Sequence, residues 1–272
     1  MIKAPAGGWC GKPRRNNNCA QWLARGLERG RPLTDWISIG GTLLALATVA
    51  AGAAAQAAIG MGLNLFAVPI LALIDPVFVP GPVLFHSFLL SVVASYRLRA
   101  DIEVGELAIS VGGLLIGTVV AAVVLAHIDT QHLPRLFGAL VLAAVAITAA
   151  GVRVPLTTHG IVAASTVAGA MGTIAGVHGP PIALLYQRES PARIRSALLP
   201  FFIFANGLSL AALVVIGMFG WRELVASVIL LPGLVAGYVA SPWLISLMSP
   251  GAIRACILGI SAISGVALTL KG

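Results

Sequence analysis

The stretch "GMGLNLFAVP" runs from residue 60 to 69, and "GVHGPPIALL" runs from 176 to 185. Each follows a long apolar segment. Each is rich in the helix breakers Gly and Pro, and each gives way to a further apolar run. A chain that interrupts itself twice in the same manner, in segments apolar enough for a bilayer, raises the question of what such breaks are for.

Composition sets the class. Of 272 residues, 58% are hydrophobic and only 10% are charged, against about 25% charged in ordinary soluble domains. A bilayer's hydrocarbon core calls for helices of about 20 apolar residues. Apolar runs at 37–59, 83–98, 104–126, 136–152, 160–176, 197–218, 224–248 and 255–270 approach or exceed that length. Two more, 65–74 and 182–186, are too short to span and follow the two breaks. The reading is an all-α polytopic membrane protein, with about eight full transmembrane helices plus two short broken or re-entrant helices after the Gly-rich motifs.

The pattern runs twice, over 36–152 and 156–271. The two breaks correspond, and "GEL" at 105–107 matches "REL" at 222–224. "GGLLIGTVVA" (112–121) matches "PGLVAGYVAS" (232–241), and Arg135 and Arg254 each open the last span of a half. Such duplications build many secondary transporters. The pairs Gly113/Gly117 and Gly233/Gly237 make small-residue faces where another backbone can approach closely. They suit packing within one chain or between subunits, a homodimer being the second case.

Residues 1–35 are a separate basic tail. Seven Lys and Arg precede Trp36, against Glu28 and Asp35. The tail reads as cytoplasmic and facing lipid headgroups rather than nucleic acid, and 19–30 could form an interfacial amphipathic helix. Loop charge does not settle topology. With eight crossings the loop Lys and Arg divide evenly. If the short elements also cross, the halves are inverted and the loops divide unevenly, with the tail on the sparser side. Trp36, Trp221 and Trp243 read as interface anchors. Cys10, Cys19 and Cys256 have no metal-ligand spacing, so no metal or cofactor is expected.

A broken helix in lipid frees N–H and C=O groups that lipid cannot satisfy, so it survives only against protein or a polar cavity. Paired breaks are therefore a pointer to a transport site. Glycine leaves backbone N–H groups approachable, and a helix starting after the break turns its positive end toward the gap. Together these make an anion site without a cationic side chain. The inventory agrees: no charged residue lies between 37 and 74, and the spans carry no Asp or Glu at depth that would hold a cation.

The candidate substrate-binding residues are Gly60, Gly62, Asn64, His86, Ser87, Gly176, His178, Gly179, Pro180 and Asn206. Pro180 and Pro181 suit the first turn of the second short helix. His178 could donate to the substrate or carry a proton with it, or be a neutral histidine bonded to a backbone carbonyl. His86 and Ser87 could share the cavity. Asn64 could cap the first short helix or touch substrate. Asn206 and Gln56 are cavity residues or interhelical glue. Arg188, Arg193 and Arg195 set topology or form an electropositive mouth. No G-x-S-x-G, H-E-x-x-H or paired intramembrane aspartate appears, which argues against an enzyme.

At these motifs the chain resembles the TauE/SafE family of bacterial membrane proteins, the sulfite exporters or permeases. That family carries G-[IV]-G-G-G followed by Pro at its first break and G-[IV]-G-G-P at its second. Gly60-Met61-Gly62-Leu63-Asn64 with Pro69, and Gly176-Val177-His178-Gly179-Pro180, stand at these places. Leu63, Asn64 and His178 replace expected glycines. The resemblance covers about 37–270. It implies a multi-pass protein of the bacterial inner membrane that moves a small sulfur-containing anion, such as sulfite or an organosulfonate. An anion channel, or a membrane subunit of a larger complex, is the alternative.

Overall fold

The computed structural model describes residues 39–271, except Met61, 97–102, 152, 153, 188 and 248. The basic tail and the segment 19–30 lie outside the described residues. Within them the chain is helical, with no strand. The helices are α1 (Ile39–Ile59), α2 (Leu63–Ile74), α3 (Gly81–Tyr96), α4 (Val104–His127), α5 (Leu133–Ala150), α6 (Thr158–Ala175), α7 (Gly179–Ala183), α8 (Pro191–Val215), α9 (Trp221–Leu247) and α10 (Pro250–Lys271).

The two breaks form for local reasons. α1 stops where Gly60 turns to φ +84°, its N–H still donating to Gln56 O at 2.8 Å. Gly62, at φ +129°, then re-aims the chain into α2, a conformation that L side chains rarely adopt. α6 is started by Thr157, whose hydroxyl accepts from Gly160 N–H. It ends at Gly176 in the left-handed conformation. α7 opens on Gly179, Pro180 and Pro181, residues pre-set for a first turn, and lasts five residues. Turns then lead to Ser190, whose hydroxyl accepts from Arg193 N–H and starts α8 six residues earlier than the apolar run at 197 suggests.

Among the described residues, seven helices are long and apolar enough to cross a membrane: α1, α3 with its preceding turn, α4, α5, α8, α9 and α10. The eighth expected span corresponds to α6, which is outside that set. It carries Thr158, His159, Ser165, Thr166 and three glycines, and every residue from Met171 to His178 is buried in protein. A helix wrapped by other helices needs no lipid-compatible surface.

The glycine pairs are spent inside the chain. A Cβ at Gly117 would collide with Thr166 O, and one at Gly237 with Ala50 O. Gly113 and Gly233 face Val162 O and Leu46 O in the same way. α4 therefore lies against α6, and α9 against α1, each pair parallel because the contacts advance together along both helices. α5 and α10 run antiparallel: Gly138 faces Gly265 and Thr269 near one end, and Arg254 Nη2 donates to Thr148 O at the other. α3 and α8 meet at Ser87 and Asn206 and run antiparallel, since Gly81 at the start of α3 packs on Phe219 just past the end of α8. Opposite these contacts, α4 turns Leu115, Ile116, Val119, Val120 and Val123 outward, the surface that acyl chains would cover. Trp221 and Trp243 are exposed on α9.

These contacts order the ends of the helices. α2 runs along α10, with Ser261 Oγ donating to Leu65 O at 2.8 Å and Lys271 Nζ to Leu73 O at 3.2 Å. The α1–α2 pair starts and finishes at the end of the bundle that holds the C-terminus of α10. The α6–α7 pair starts and finishes at the opposite end. That opposite end is tied by Arg193, which meets Glu106 at 2.8 Å and Glu103 at 3.8 Å, and by Tyr186 Oη donating to Glu106 at 3.0 Å. Burial, and then the Glu106 carboxylate, push the Tyr186 phenol above its ordinary ionisation range, so it remains the donor.

Candidate functional site

The breaks, 112 residues apart at their point of contact, touch. Asn64, at the second residue of α2, donates from Nδ2 to Gly176 O at 2.6 Å. The carbonyl freed where α6 ends is thus satisfied by a side chain of the other break. Asn64 makes no capping hydrogen bond for its own helix. At Gly60 the exposed face is covered by the stem of Arg195, whose Nη2 donates to Ala58 O at 2.9 Å. A cation thereby sits on the carbonyl end of α1.

Beside this contact lies a cavity lined from both breaks: Gly62, Asn64 and Leu65 on one side, and Val177, Gly179 and Pro180 on the other. Gln56, Ser87, Phe202, Thr148, Arg254, Ile257 and Leu258 complete the wall. Its volume is about 40 Å³. At about 10–15 Å³ for each water on that measure, this is room for three or four heavy atoms. Arg254, exposed, is the one charged residue among the described residues of the lining and stands beside Thr148 near the open ends of α5 and α10.

Ser87 Oγ accepts from Asn206 Nδ2 at 3.2 Å and makes a long contact with Gln56 Nε2 at 3.5 Å. Asn206 Nδ2 also donates to Phe202 O at 2.7 Å. With its oxygen accepting, Ser87 keeps its own hydrogen free to donate into the cavity.

His178 is fully buried and falls between two cavity residues, but its ring turns the other way. It lies over Gly172, where any Cβ would overlap the imidazole. His178 Nε2 is 3.0 Å from Ser209 Oγ, Ser209 is 2.7 Å from Thr173 Oγ1, and Thr173 donates to Thr118 Oγ1 at 3.3 Å. Since Thr173 spends its hydrogen on Thr118, Ser209 must donate to Thr173, and His178 must donate from Nε2 to Ser209. Nδ1 is then a bare acceptor, without a partner among the described residues. Gly172→Ala is expected to cost about 1–3 kcal/mol by forcing the ring aside, and the double change with His178→Ala to recover part of it. Thermal unfolding in detergent checks both.

His86 is placed elsewhere. Nδ1 lies 2.6 Å from Pro82 O, and Nε2 lies 3.0 Å from Ser227 O of α9, so it pins α3 to α9 away from the cavity lining. Of the ten residues expected at the site, Gly62, Asn64, Ser87, Gly179 and Pro180 line the cavity. Gly176 and Asn206 hold lining residues in place, Gly60 packs on Arg195, and His178 and His86 face other partners. Arg254 was read only as the opening of a span. Its one signal is an arginine at the fifth residue of α10, in a segment that carries no other charge before Lys271.

These features define a polytopic α-helical membrane protein built around two interrupted hairpins that meet at a cavity whose mostly apolar wall carries a few polar groups. The chain belongs to the sulfite exporter TauE/SafE family, whose sequence model matches residues 44–268. It is accordingly a multi-pass membrane transporter of sulfur-containing anions, of a transporter family and not an enzymatic one. No curated protein and no solved structure matches the chain.

Proposed function

We propose that the chain is a secondary transporter that moves sulfite or a small organosulfonate by alternating access, with the substrate held where the two breaks meet. In this reading residues 36–152 and 156–271 are repeats of inverted topology. α1–α2 and α6–α7 are hairpins that enter from opposite membrane faces, and rocking of one repeat against the other opens the cavity to each side in turn.

The observation that carries the reading is the pairing of Asn64 with Gly176 O beside a cavity lined from both breaks. The start of α2 adds its positive end, Ser87 adds a hydroxyl, and Arg254 adds a cation at the rim. His178 Nδ1, an acceptor inside the second break, is the group we assign to a coupled proton. Its neighbours Gly172, Thr173 and Ser209 carry no charge.

Sulfite flux into proteoliposomes, against empty liposomes, tests the reading. Flux well above the blank is expected, and a folded protein with none would overturn it. Conductance far beyond carrier turnover would instead indicate a channel. His178→Ala is expected to flatten the response of flux to an imposed pH gradient. An unchanged response removes the proton from His178.

A further inference from the structure

Hydrogen-bond bookkeeping around the cavity is lopsided. One lining residue, Asn64, holds a buried acceptor, Oδ1, that has no donor among the described residues; Asn206 Oδ1 and His178 Nδ1 lack one too, but those two residues lie outside the lining. Asn64 is itself a lining residue and is 9% exposed. Its amide cannot be turned over to relieve the deficit, because Nδ2 is committed to Gly176 O at 2.6 Å and a flip would set two oxygens face to face. Asn206 is fixed likewise by Phe202 O and Ser87 Oγ. A buried acceptor without a donor is costly, and a fully deprotonated oxyanion brings only more acceptors. Positive charge is also limited, since Arg254 is the only cationic residue among the described residues that line the cavity.

Building on the transport reading above, we infer that this cavity selects a singly charged oxyanion that carries a hydrogen-bond donor of its own, with Asn64 Oδ1 accepting from that donor. Ser87 and the start of α2 donate to the anion's oxygens, and Arg254 balances its one charge. For sulfite this means the protonated form, not the dianion. A site that leaves a buried polar group unpaired rejects a ligand lacking the matching group more sharply than one that merely changes fit.

The test compares two pyramidal, three-oxygen monoanions, hydrogen sulfite and chlorate, of which only the first carries a proton. Flux into proteoliposomes is measured at equal pH on both faces, low enough for hydrogen sulfite to be abundant. Wild-type protein is expected to carry hydrogen sulfite at least about tenfold faster than chlorate, roughly one hydrogen bond's worth of discrimination. Asn64→Leu, if folded, brings the ratio toward one. Arg254→Gln slows both anions equally, and Arg254→Lys restores part of the loss.

A wild-type ratio near one, with both anions carried, overturns the inference and leaves the transport reading standing. Survival of the ratio in folded Asn64→Leu also overturns it. Absence of flux for both anions overturns the transport reading and this inference with it. Should Asn64→Leu fail to fold, the wild-type ratio decides.

Discussion

Gly179→Leu is expected to abolish sulfite flux while leaving the protein folded. Gly179 has an ordinary negative φ and opens α7. The nearest atom to a Cβ placed there is Phe202 Cζ, at 3.7 Å, which is plain van der Waals contact. The backbone therefore accepts a side chain, and stability should change by less than about 1 kcal/mol. The cavity does not accept one. Leucine brings four side-chain heavy atoms into a space with room for about as many. Gly179→Ala, adding one, should slow transport without stopping it. Flux in proteoliposomes and melting in detergent separate the two effects. Leucine at 179 with wild-type flux would mean that the substrate passes elsewhere.

Gly117→Leu and Gly237→Leu are expected to do the reverse and damage the fold. A Cβ at Gly117 would collide with Thr166 O and come within 2.8 Å of Ala170 N, and one at Gly237 would collide with Ala50 O. These are backbone atoms of α6 and α1, which cannot rotate aside as a side chain can. The helices must separate, so the cost lies at or beyond the upper end of overpacking, about 3 kcal/mol or more. Gly112→Leu, five residues before Gly117 and on the open face of α4 where nothing lies within 4 Å, should change stability by less than about 0.5 kcal/mol. Unfolding of the three variants in one detergent gives the comparison. Equal stabilities would show that the close approach of α4 to α6 does not support the fold.

The two sets of glycines look alike in sequence and do different work. Gly117 and Gly237 recur at helical spacing with Gly113 and Gly233, and that periodicity identifies a packing face. Gly60 and Gly176 end helices at positive φ, and the nearby Pro69, Pro180 and Pro181 mark interruption. Both distinctions are local, so they could be read before any helix was placed. The shortness of α7 was equally legible, because Arg188 ends its apolar run within two residues of Tyr186.

The facing of side chains was not legible. Each residue along a helix rotates by about 100°, and His178, between two cavity residues, turns instead to Thr173 and Ser209. His86 and Ser87 are adjacent, yet one holds α9 and the other lines the cavity. Nothing in the charge count fixed the opposite senses of the two hairpins, since that count depends on whether each short helix carries the chain across.

What the amino-acid order determined by itself was therefore composition-driven and local: a membrane chain, interrupted twice, with no carboxylate at depth. Only the tertiary structure decided that Asn64 meets Gly176 O and that Arg254 stands over the same cavity. Local propensity specifies where a helix stops, whereas a contact across more than a hundred residues arises from how all the helices pack at once.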